Sequence, residues 1–250
     1  MTAVFGIEFC PHSQAELVAL MTRDAPPPGE APRTVVTANL DHIGRLPRDA
    51  EFREAYHRAW AVTADGMPVY LYARLRGAAA PARVAGSDLL SSLLPALTPG
   101  RDRVFLVASD GPTGERIHDY LVGRGFAPDE VAWVVPSYGF EHDARYSAWL
   151  AGHIRSFAAS HLIFGVGSPK SEVWIDHHRH EIGGCYALAV GAGLEFFADT
   201  KRRAPVWMRR CGLEWSWRLA QEPRRLWRRY LVMSWRFLGA VRNDLFAGQS

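Results

Sequence analysis

The chain has 250 residues, of which 48% are hydrophobic and 22% charged, so it can bury the core of one large α/β domain and cannot be disordered throughout. Its formal charge of +3 conceals an asymmetry, because residues 201–250 hold twelve Lys/Arg against three Asp/Glu while residues 1–200 hold seventeen against twenty-three. The three cysteines are too few and too scattered for a disulfide framework, which indicates reduced thiols in a cytoplasm.

Short apolar runs alternate with helical patterns through the first 200 residues. The predicted strands are Val4–Phe9, Thr34–Ala38, Ala61–Ala64, Arg103–Ala108, Val131–Val135, Leu162–Val166 and Tyr186–Val190. The predicted helices are Ser13–Thr22 with the capping box Ser13/Glu16, Pro47–Trp60, Pro68–Leu75, Ser87–Leu97, Gly114–Gly123, His142–Ala158 and Pro169–His180. This alternation predicts an α/β fold whose mostly parallel sheet carries helices on both faces. Ligands of such folds bind beyond the carboxyl ends of the strands.

Two polar segments each follow a predicted strand. Residues 37–42, Thr-Ala-Asn-Leu-Asp-His, end one apolar run, and residues 63–68, Thr-Ala-Asp-Gly-Met-Pro, follow the next. An aspartate at the carboxyl end of a strand, before a flexible glycine, can reach into a cleft as a general base. The alternative is that Asp65 only turns the chain or caps the helix that begins near Pro68.

Three further loops are suited to an anion, although each is a weak signal alone. Residues 83–88, Arg-Val-Ala-Gly-Ser-Asp, place Arg83 either against a phosphate or carboxylate or in solvent. Residues 165–170, Gly-Val-Gly-Ser-Pro-Lys, link a strand to a helix, where backbone N–H groups favour a phosphate. They lack the spacing of a dinucleotide-binding or Walker motif. Residues 109–114 form a similar loop.

A histidine-rich segment at residues 176–181 suggests a zinc site at first, because His177 and His180 lie about one helical turn apart. No other ligand pattern completes a set of four, so the sequence favours a solvated helix end.

The last fifty residues contain five of the nine tryptophans as well as the basic charge. From Pro223 onward, apolar residues recur at helical spacing and arginines occupy the other side of the predicted helix, which is typical of a basic amphipathic helix lying on an anionic membrane surface. The alternative is an ordinary helix packed on the domain. Because the composition changes near Ala198–Arg203, we predict a core of residues 1–198 and a membrane-docking appendage of residues 199–250.

Membrane contact is expected to be peripheral. Residues 1–11 have neither the basic nor the apolar region of a signal peptide. The longest apolar run, Cys185–Leu194, is about half of the ~20 residues that span a bilayer.

Seven sequence blocks follow one another along the chain. They are Thr37-x-Asn39-x-Asp41-His42, Ala64-Asp65-Gly66-Met67-Pro68, Arg83-Val84-Ala85-Gly86-Ser87-Asp88-Leu89, Val104-Phe105-Leu106-Val107, Gly165-x-Gly167-x-Pro169-Lys170-x-Glu172-x-Trp174-Ile175, Arg203-Ala204-Pro205-x-Trp207-Met208-x-Arg210-x-Gly212-Leu213-Glu214-Trp215-x-x-Arg218-Leu219 and Glu222-Pro223-x-Arg225-Leu226-x-Arg228-Arg229-Tyr230. Together they resemble the WecG/TagA/CpsF glycosyltransferases of bacterial envelope and exopolysaccharide synthesis, over roughly Val35 to Leu238.

This resemblance implies a Rossmann-like core and inverting transfer of a hexosyl group from a UDP-sugar to a polyprenyl-diphosphate-linked saccharide. It also implies an enzyme without cofactor or metal, peripheral on the cytoplasmic face of the inner membrane. Asp65 matches the proposed catalytic base, with Thr37 and Asn39 as further catalytic residues. The implied substrate-binding residues are Arg83, Asp88, Ser109, Tyr138, Gly165, Gly167, Pro169, Lys170, Ser171 and Glu172. The residues implied to approach the acceptor diphosphate or the membrane are Arg210, Arg218, Arg225, Arg228 and Trp227.

The chain departs from the usual family pattern at several positions. Ser171 stands where the family commonly has Gln, Asp199 replaces a glycine, Ala108-Ser109 follows Val107 without one, and residues 195–198 lack an Asp. The donor sugar is therefore open among N-acetylmannosaminyl, glucosyl, glucuronosyl and other hexosyl groups.

Two other functional classes fit parts of the sequence. An inactive relative could act as a scaffold in a polysaccharide assembly complex. A nucleic-acid-binding protein could use the basic tail, but the acidic body offers no extended basic face. Self-association through an exposed apolar face of the appendage is also open.

Overall fold

A computed structural model describes residues 2–27, 29–221 and 223–247. Six strands form its sheet: β1 (Arg33–Ala38), β2 (Ala61–Ala64), β3 (Val104–Val107), β4 (Val131–Val134), β5 (His161–Phe164) and β6 (Tyr186–Ala189). They lie in the order β2-β1-β6-β5-β3-β4, and each neighbouring pair is parallel. The predicted α/β fold with a parallel sheet is confirmed.

Helices surround this sheet. They are α1 (Gln14–Arg23), α2 (Leu40–Arg45), α3 (Ala50–His57), α4 (Met67–Leu75), α5 (Gly86–Leu93), α6 (Gly111–Gly123), α7 (Ala144–Phe157), α8 (Lys170–His177), α9 (Gly193–Phe197), α10 (Val206–Arg210), α11 (Glu214–Gln221) and α12 (Pro223–Ala247). All seven helices predicted in the first 200 residues occur, and the capping box of Ser13 and Glu16 at the start of α1 is confirmed. Helices α2, α9, α10 and α11 were not predicted.

The sheet is covered on both faces by helices, as its apolar strands require. One face packs against Leu17 of α1, Leu90 of α5, Ile117 of α6 and Leu194 of α9. The other face packs against α2, α3 and α4 at one end of the sheet and against α7 and α8 at the other. Strands β2, β3, β5 and β6 are consequently buried at every position.

The predicted strand Val4–Phe9 is wrong. Phe5 and Gly6 have φ angles of 58° and 75°, which turn the chain back on itself. Val4 and Ile7 then bond to each other in an isolated antiparallel bridge, and both side chains are buried. The apolar residues that suggested a strand therefore fill the core from a tight turn.

Helix α12 packs across α2, where Gly44 lies so near α12 that an added Cβ would be 2.8 Å from Cβ of Arg236. Farther along α12, the Asp244 carboxylate accepts hydrogen bonds from the Phe5 amide (2.6 Å) and the Tyr72 hydroxyl (2.9 Å). It also lies 3.3 Å from Nε of Arg76. The long basic helix is thus attached to the core by close packing and by one partly buried carboxylate.

Candidate functional site

A cleft of about 730 Å³ lies at the carboxyl ends of the strands. Its walls come from the loops after β1, β2, β5 and β6, from the start of α5, and from α10, α11 and α12 of the C-terminal segment. Loops gather at this edge because all six strands run in the same direction, so the carboxyl ends of neighbouring strands lie side by side. This cleft is the larger of the two cavities described here, and it lies at the edge of the sheet where the sequence predicts the site.

The β1–β2 pair brings the two polar strand ends together. Ala38 and Ala64 are paired in register, so Asn39 and Asp65 leave the sheet side by side, and the Asp65 amide donates to the Ala38 carbonyl at 2.8 Å. Thr37 lines the same cleft. The N-cap residue of α4 is Gly66, and no side-chain hydrogen bond caps this helix. Asp65 is therefore not its N-cap, which was one of the alternatives that the sequence left open.

Arg83 lies at this wall because the segment before α5 is hydrogen-bonded to the end of β2. The Val84 amide donates to the Ala64 carbonyl at 3.0 Å, and the Thr63 hydroxyl donates to the Val84 carbonyl at 2.9 Å. The chain then enters α5 at Gly86, where a Cβ would lie 3.3 Å from the Thr37 hydroxyl oxygen. This close approach explains why a glycine stands at that position.

A buried polar cluster lies behind Asn39. The Asn39 side-chain oxygen accepts from the amides of Asp41 (2.9 Å) and His42 (3.2 Å), which caps α2. Nδ1 of His42 is 2.7 Å from the Tyr56 hydroxyl, and Nε2 is 3.3 Å from Nδ2 of Asn39 and 4.0 Å from Oε1 of Glu172. His42 belongs to one of the seven sequence blocks but had no predicted role, and Tyr56 was not predicted as part of the site.

Burial shapes the charge of this cluster. Burial raises the pKa of Glu172 to about 7, although its own backbone amide, the Ser168 hydroxyl and Arg45 lower it. Burial, followed by the charges of Glu172 and Asp65, holds the pKa of Tyr56 well above its ordinary value. Tyr56 is therefore a neutral phenol at neutral pH, and Glu172 is divided between its neutral and ionised forms.

The glycine loop after β5 forms another part of the wall, and Gly165, Gly167, Ser171 and Glu172 all line the cleft. The Ser171 hydroxyl donates to the Gly167 carbonyl at 2.9 Å and is buried. Pro169 precedes α8 and is not part of the wall that the structure describes.

A smaller cavity of about 160 Å³ adjoins the cleft, and the two share Ser109 and Val166. Tyr138 and Lys170 line it, with Nζ of Lys170 5.3 Å from the centre of the Tyr138 ring. The Tyr138 side chain is 99% exposed, so one end of this cavity offers an aromatic face to a ligand.

Asp88 lies in the first turn of α5, next to the cleft rather than among its lining residues. Its carboxylate is 3.4 Å from Arg83, 2.8 Å from Arg203 and 3.2 Å from Arg209. One aspartate of the core therefore holds an arginine of the cleft wall together with two arginines of the C-terminal segment.

The C-terminal segment forms part of the cleft wall. Arg209, Gly212, Glu214, Trp215 and Met233 contribute to its lining. Gly212 has a φ of 73°, and a Cβ there would lie 3.0 Å from Met67, directly after the Asp65-Gly66 turn. Trp227 is exposed on α12. The predicted residues Arg210, Arg218, Arg225 and Arg228 lie on these helices, but their side chains are outside the described part of the structure.

Sequence reasoning missed the loop Val190–Gly193 after β6, all of which lines the cleft. The available signal was a glycine pair directly after an apolar strand. It also missed Glu195 and Lys201, whose side chains form an ion pair of 2.7 Å at the same opening.

No group of three or more His, Cys, Asp or Glu side chains is arranged for a metal ion within the described ranges. His177 is half exposed at the end of α8, 4.0 Å from Glu51.

The model of the glycosyl transferase WecG/TagA/CpsF family matches residues 2–250 of the chain. The chain belongs to this family. The resemblance inferred from the seven sequence blocks is confirmed, and the cleft described above is that of a WecG/TagA/CpsF family member.

Relatives of this WecG/TagA/CpsF member include proteins of three Staphylococcus aureus strains, MRSA252, MW2 and NCTC 8325 / PS 47. They are named N-acetylglucosaminyldiphosphoundecaprenol N-acetyl-beta-D-mannosaminyltransferase and are 26%, 25% and 25% identical over 198 residues. Each match covers 78% of this chain and 74% of the relative. Across the residues that the structure describes, no helix of the family member is both long and apolar enough to cross a bilayer.

Proposed function

We propose that this protein transfers a hexosyl group from a UDP-sugar to a polyprenyl-diphosphate-linked saccharide in cell-envelope or exopolysaccharide synthesis. The observation that carries the proposal is the grouping of Thr37, Asn39, Asp65 and Arg83 in one cleft beneath the arginine-rich C-terminal segment. The names of the staphylococcal relatives support this acceptor class, because they specify a sugar linked to diphosphoundecaprenol. The N-acetylmannosaminyl group of those names is one candidate donor among several.

Asp65 is the general base in this proposal. Its carboxylate takes the proton of the acceptor hydroxyl while that oxygen attacks the anomeric carbon of the donor. The bond from that carbon to the diphosphate oxygen breaks, and the electron pair leaves with UDP. Attack from the side opposite the leaving group inverts the anomeric centre. Thr37 and Asn39 orient the reacting groups around Asp65.

Positive groups around the cleft would stabilise the departing UDP without a metal ion. Arg83 and Arg209 both line the cleft, and the glycine loop Gly165–Gly167 leads into the start of α8. Guanidinium groups and backbone N–H groups stabilise developing phosphate charge when they are already in place before the bond breaks.

The smaller cavity suits the nucleoside end of the donor. The exposed Tyr138 ring can stack on a base, and Lys170 and Ser109 lie beside it. Because this cavity adjoins the cleft, one extended ligand could occupy both.

The C-terminal residues would bring the enzyme to its lipid acceptor. We infer a core of residues 1–198 and a membrane-docking appendage of residues 199–250, on the cytoplasmic face of the inner membrane. Trp207, Trp227 and Trp235 are exposed there, among many basic residues. The arginines proposed to bind the acceptor diphosphate are Arg210, Arg218, Arg225 and Arg228.

The test is transfer from a panel of UDP-sugars to a short-chain polyprenyl-diphosphate disaccharide, with and without EDTA. We expect one sugar to be transferred, equally well with EDTA, and the activity to be lost in Asp65→Asn at unchanged thermal stability. Asp129→Asn, which changes an exposed carboxylate outside the cleft, is the matched control and should keep full activity.

Retained transfer by Asp65→Asn would remove Asp65 from the base role, and loss of transfer in EDTA would contradict the metal-independent mechanism. If no donor is used, calorimetry with UDP decides between an unsuitable acceptor and an inactive scaffold, since the scaffold need not bind UDP.

A further inference from the structure

Asp88 joins the core to the C-terminal segment through both of its carboxylate oxygens. Oδ2 accepts a hydrogen bond from Nη2 of Arg83, a residue of the core, at 3.4 Å. Oδ1 accepts one from Nη1 of Arg209 at 3.2 Å and lies 2.8 Å from Nη2 of Arg203, and both of these arginines belong to the C-terminal segment. One carboxylate therefore holds guanidinium groups from two distant parts of the chain.

Asp88 is the fixed member of this group. It lies in the first turn of α5, where its amide donates to the Ala85 carbonyl at 3.0 Å and its carbonyl accepts from Nε2 of Gln14 at 3.2 Å. The next two residues, Leu89 and Leu90, are fully buried. An aspartate has a short side chain, whereas an arginine loses much more rotamer freedom when it is held in one place. The carboxylate therefore sets the positions of the arginines.

Two of the three arginines, Arg83 and Arg209, line the cleft. Asp88 and Arg203 do not, within the part of the chain that the structure describes. A guanidinium group has five N–H donors, and Asp88 accepts from one nitrogen each of Arg83 and Arg209. Asp88 therefore occupies only part of each guanidinium group, and the remaining donors can bind a ligand in the cleft.

The charge around Asp88 favours an anion. Three guanidinium groups contact this carboxylate, and Glu214, 3.7 Å from Arg203, supplies a second negative charge, so the five groups carry one net positive charge. Lys201 and Glu195 at the same opening neutralise each other at 2.7 Å. Guanidinium groups bind phosphate oxygens in pairs, and two of them match the two phosphate groups of a diphosphate.

We propose that Asp88 is a positioning residue that holds Arg83 and Arg209 together as a clamp for a diphosphate in the cleft. The two arginines contact the ligand, and Asp88 acts through them. The inference rests on the proposed function, because that function supplies the diphosphate, either of the nucleotide donor or of the polyprenyl-linked acceptor. Arg209 is not one of the residues that carry the family resemblance, so the resemblance does not imply this clamp.

Removal of the carboxylate tests the clamp, because two mechanisms predict opposite changes. Asp88→Asn keeps the size of the side chain but leaves one uncharged oxygen in place of two charged ones, so its bonds to the two arginines are weakened or lost. If Asp88 positions the clamp, the variant should bind UDP about tenfold more weakly. If the carboxylate only repels the ligand or competes with it for the arginines, loss of its negative charge should tighten binding.

Isothermal titration calorimetry of the full chain with UDP, UMP and geranyl diphosphate measures these changes. Arg209→Gln and Asp88→Asn should each raise the Kd for UDP about tenfold, while the Kd for UMP, which has a single phosphate, changes less than about threefold. A loss confined to geranyl diphosphate would assign the clamp to the lipid acceptor instead. Unchanged or tighter binding of both diphosphates by Asp88→Asn would overturn the inference.

Arg203→Gln separates the positioning role from simple attachment of the C-terminal segment. Arg203 also contacts Asp88 but does not line the described cleft, so its replacement should change the Kd for UDP less than about twofold. If Asp88 only anchored the segment, Arg203→Gln and Asp88→Asn would weaken binding equally. Thermal unfolding of each variant shows whether it is folded.

The double variant and the wild type complete the test. If Asp88 acts through Arg209, Asp88→Asn should cost less affinity in the Arg209→Gln background than in the wild type. An equal cost in both backgrounds would contradict the clamp. A wild type that binds neither UDP nor geranyl diphosphate would refute the proposed function and the clamp together, whereas tight wild-type binding with unchanged variants would refute the clamp alone.

Discussion

The raised pKa of Glu172 predicts a pH-dependent stability that one substitution removes. Glu172 is buried, and its pKa rises from an ordinary 4.5 to about 7 in the folded protein. Between these two values the folded protein holds a proton that the unfolded chain has released, so the free energy of unfolding falls as the pH rises. At about 1.4 kcal/mol for each pKa unit, the loss between pH 4.5 and 7 is about 3 kcal/mol. Glutamine mimics the neutral carboxyl and cannot ionise.

We therefore expect Glu172→Gln to match the wild type near pH 4.5 and to be more stable by about 3 kcal/mol at pH 7.5. Urea unfolding followed by tryptophan fluorescence at pH values from 4.5 to 8 measures the difference. Buried His161, whose pKa is lowered to about 4, has the opposite pH dependence, but it is present in both proteins and cancels. Exposed Glu181→Gln is the control. Parallel stability curves for wild type and Glu172→Gln would refute the reasoning.

Three other substitutions test the packing, the nucleotide site and the membrane surface. Gly44→Ala adds a methyl group 2.8 Å from a Cβ atom of α12 and should destabilise by about 1–3 kcal/mol in thermal unfolding. Gly239→Ala, with nothing within 4 Å, should instead stabilise by up to about 1 kcal/mol. Arg83→Lys should weaken UDP binding roughly tenfold in calorimetry, because lysine cannot form the paired guanidinium contact; unchanged affinity would place Arg83 outside the nucleotide site. Trp235→Ser should reduce sedimentation with anionic vesicles, whereas Trp149→Ser, an exposed tryptophan of α7, should not.

The sheet could be predicted from the sequence because its strands are short, continuous apolar runs between turn residues. The same criterion failed at residues 4–9, where Gly6 allowed a turn whose apolar residues are buried without pairing in the sheet. Helix α2 was not predicted either, because it is only six residues long and contains Gly44, although Asn39 stands before it as a helix cap. Short helices that tertiary packing stabilises give a weak periodic signal.

The polar strand ends were predictable for a physical reason. Thr37, Asn39 and Asp65 follow buried strands, and the parallel arrangement brings such positions to one edge. Their second layer was not predictable, because His42 meets Tyr56 of α3 and Glu172 of α8 only after the helices have packed. Periodicity marks such residues as buried without naming their partners.

The contacts of Asp88 were not predictable for the same reason, because they form only when distant parts of the chain pack together. Its partners Arg203 and Arg209 lie more than a hundred residues away in sequence, whereas the family resemblance implied a substrate-binding role for Asp88. In the structure, three guanidinium groups share the charge of this carboxylate.

The bond between Phe5 and Asp244 has a consequence for the order of folding. It joins residues 239 positions apart, so it cannot form until Asp244 has left the ribosome. The same carboxylate also binds Tyr72 and Arg76, which ties the N-terminal turn, α4 and α12 at a single point. Contacts of such long sequence separation carry a large loop-closure cost and tend to form late. The N-terminal turn therefore forms its hydrogen bond with Asp244 in the same step in which α12 packs on the core. Until that step, a nascent chain has neither the turn nor α12 in its final arrangement.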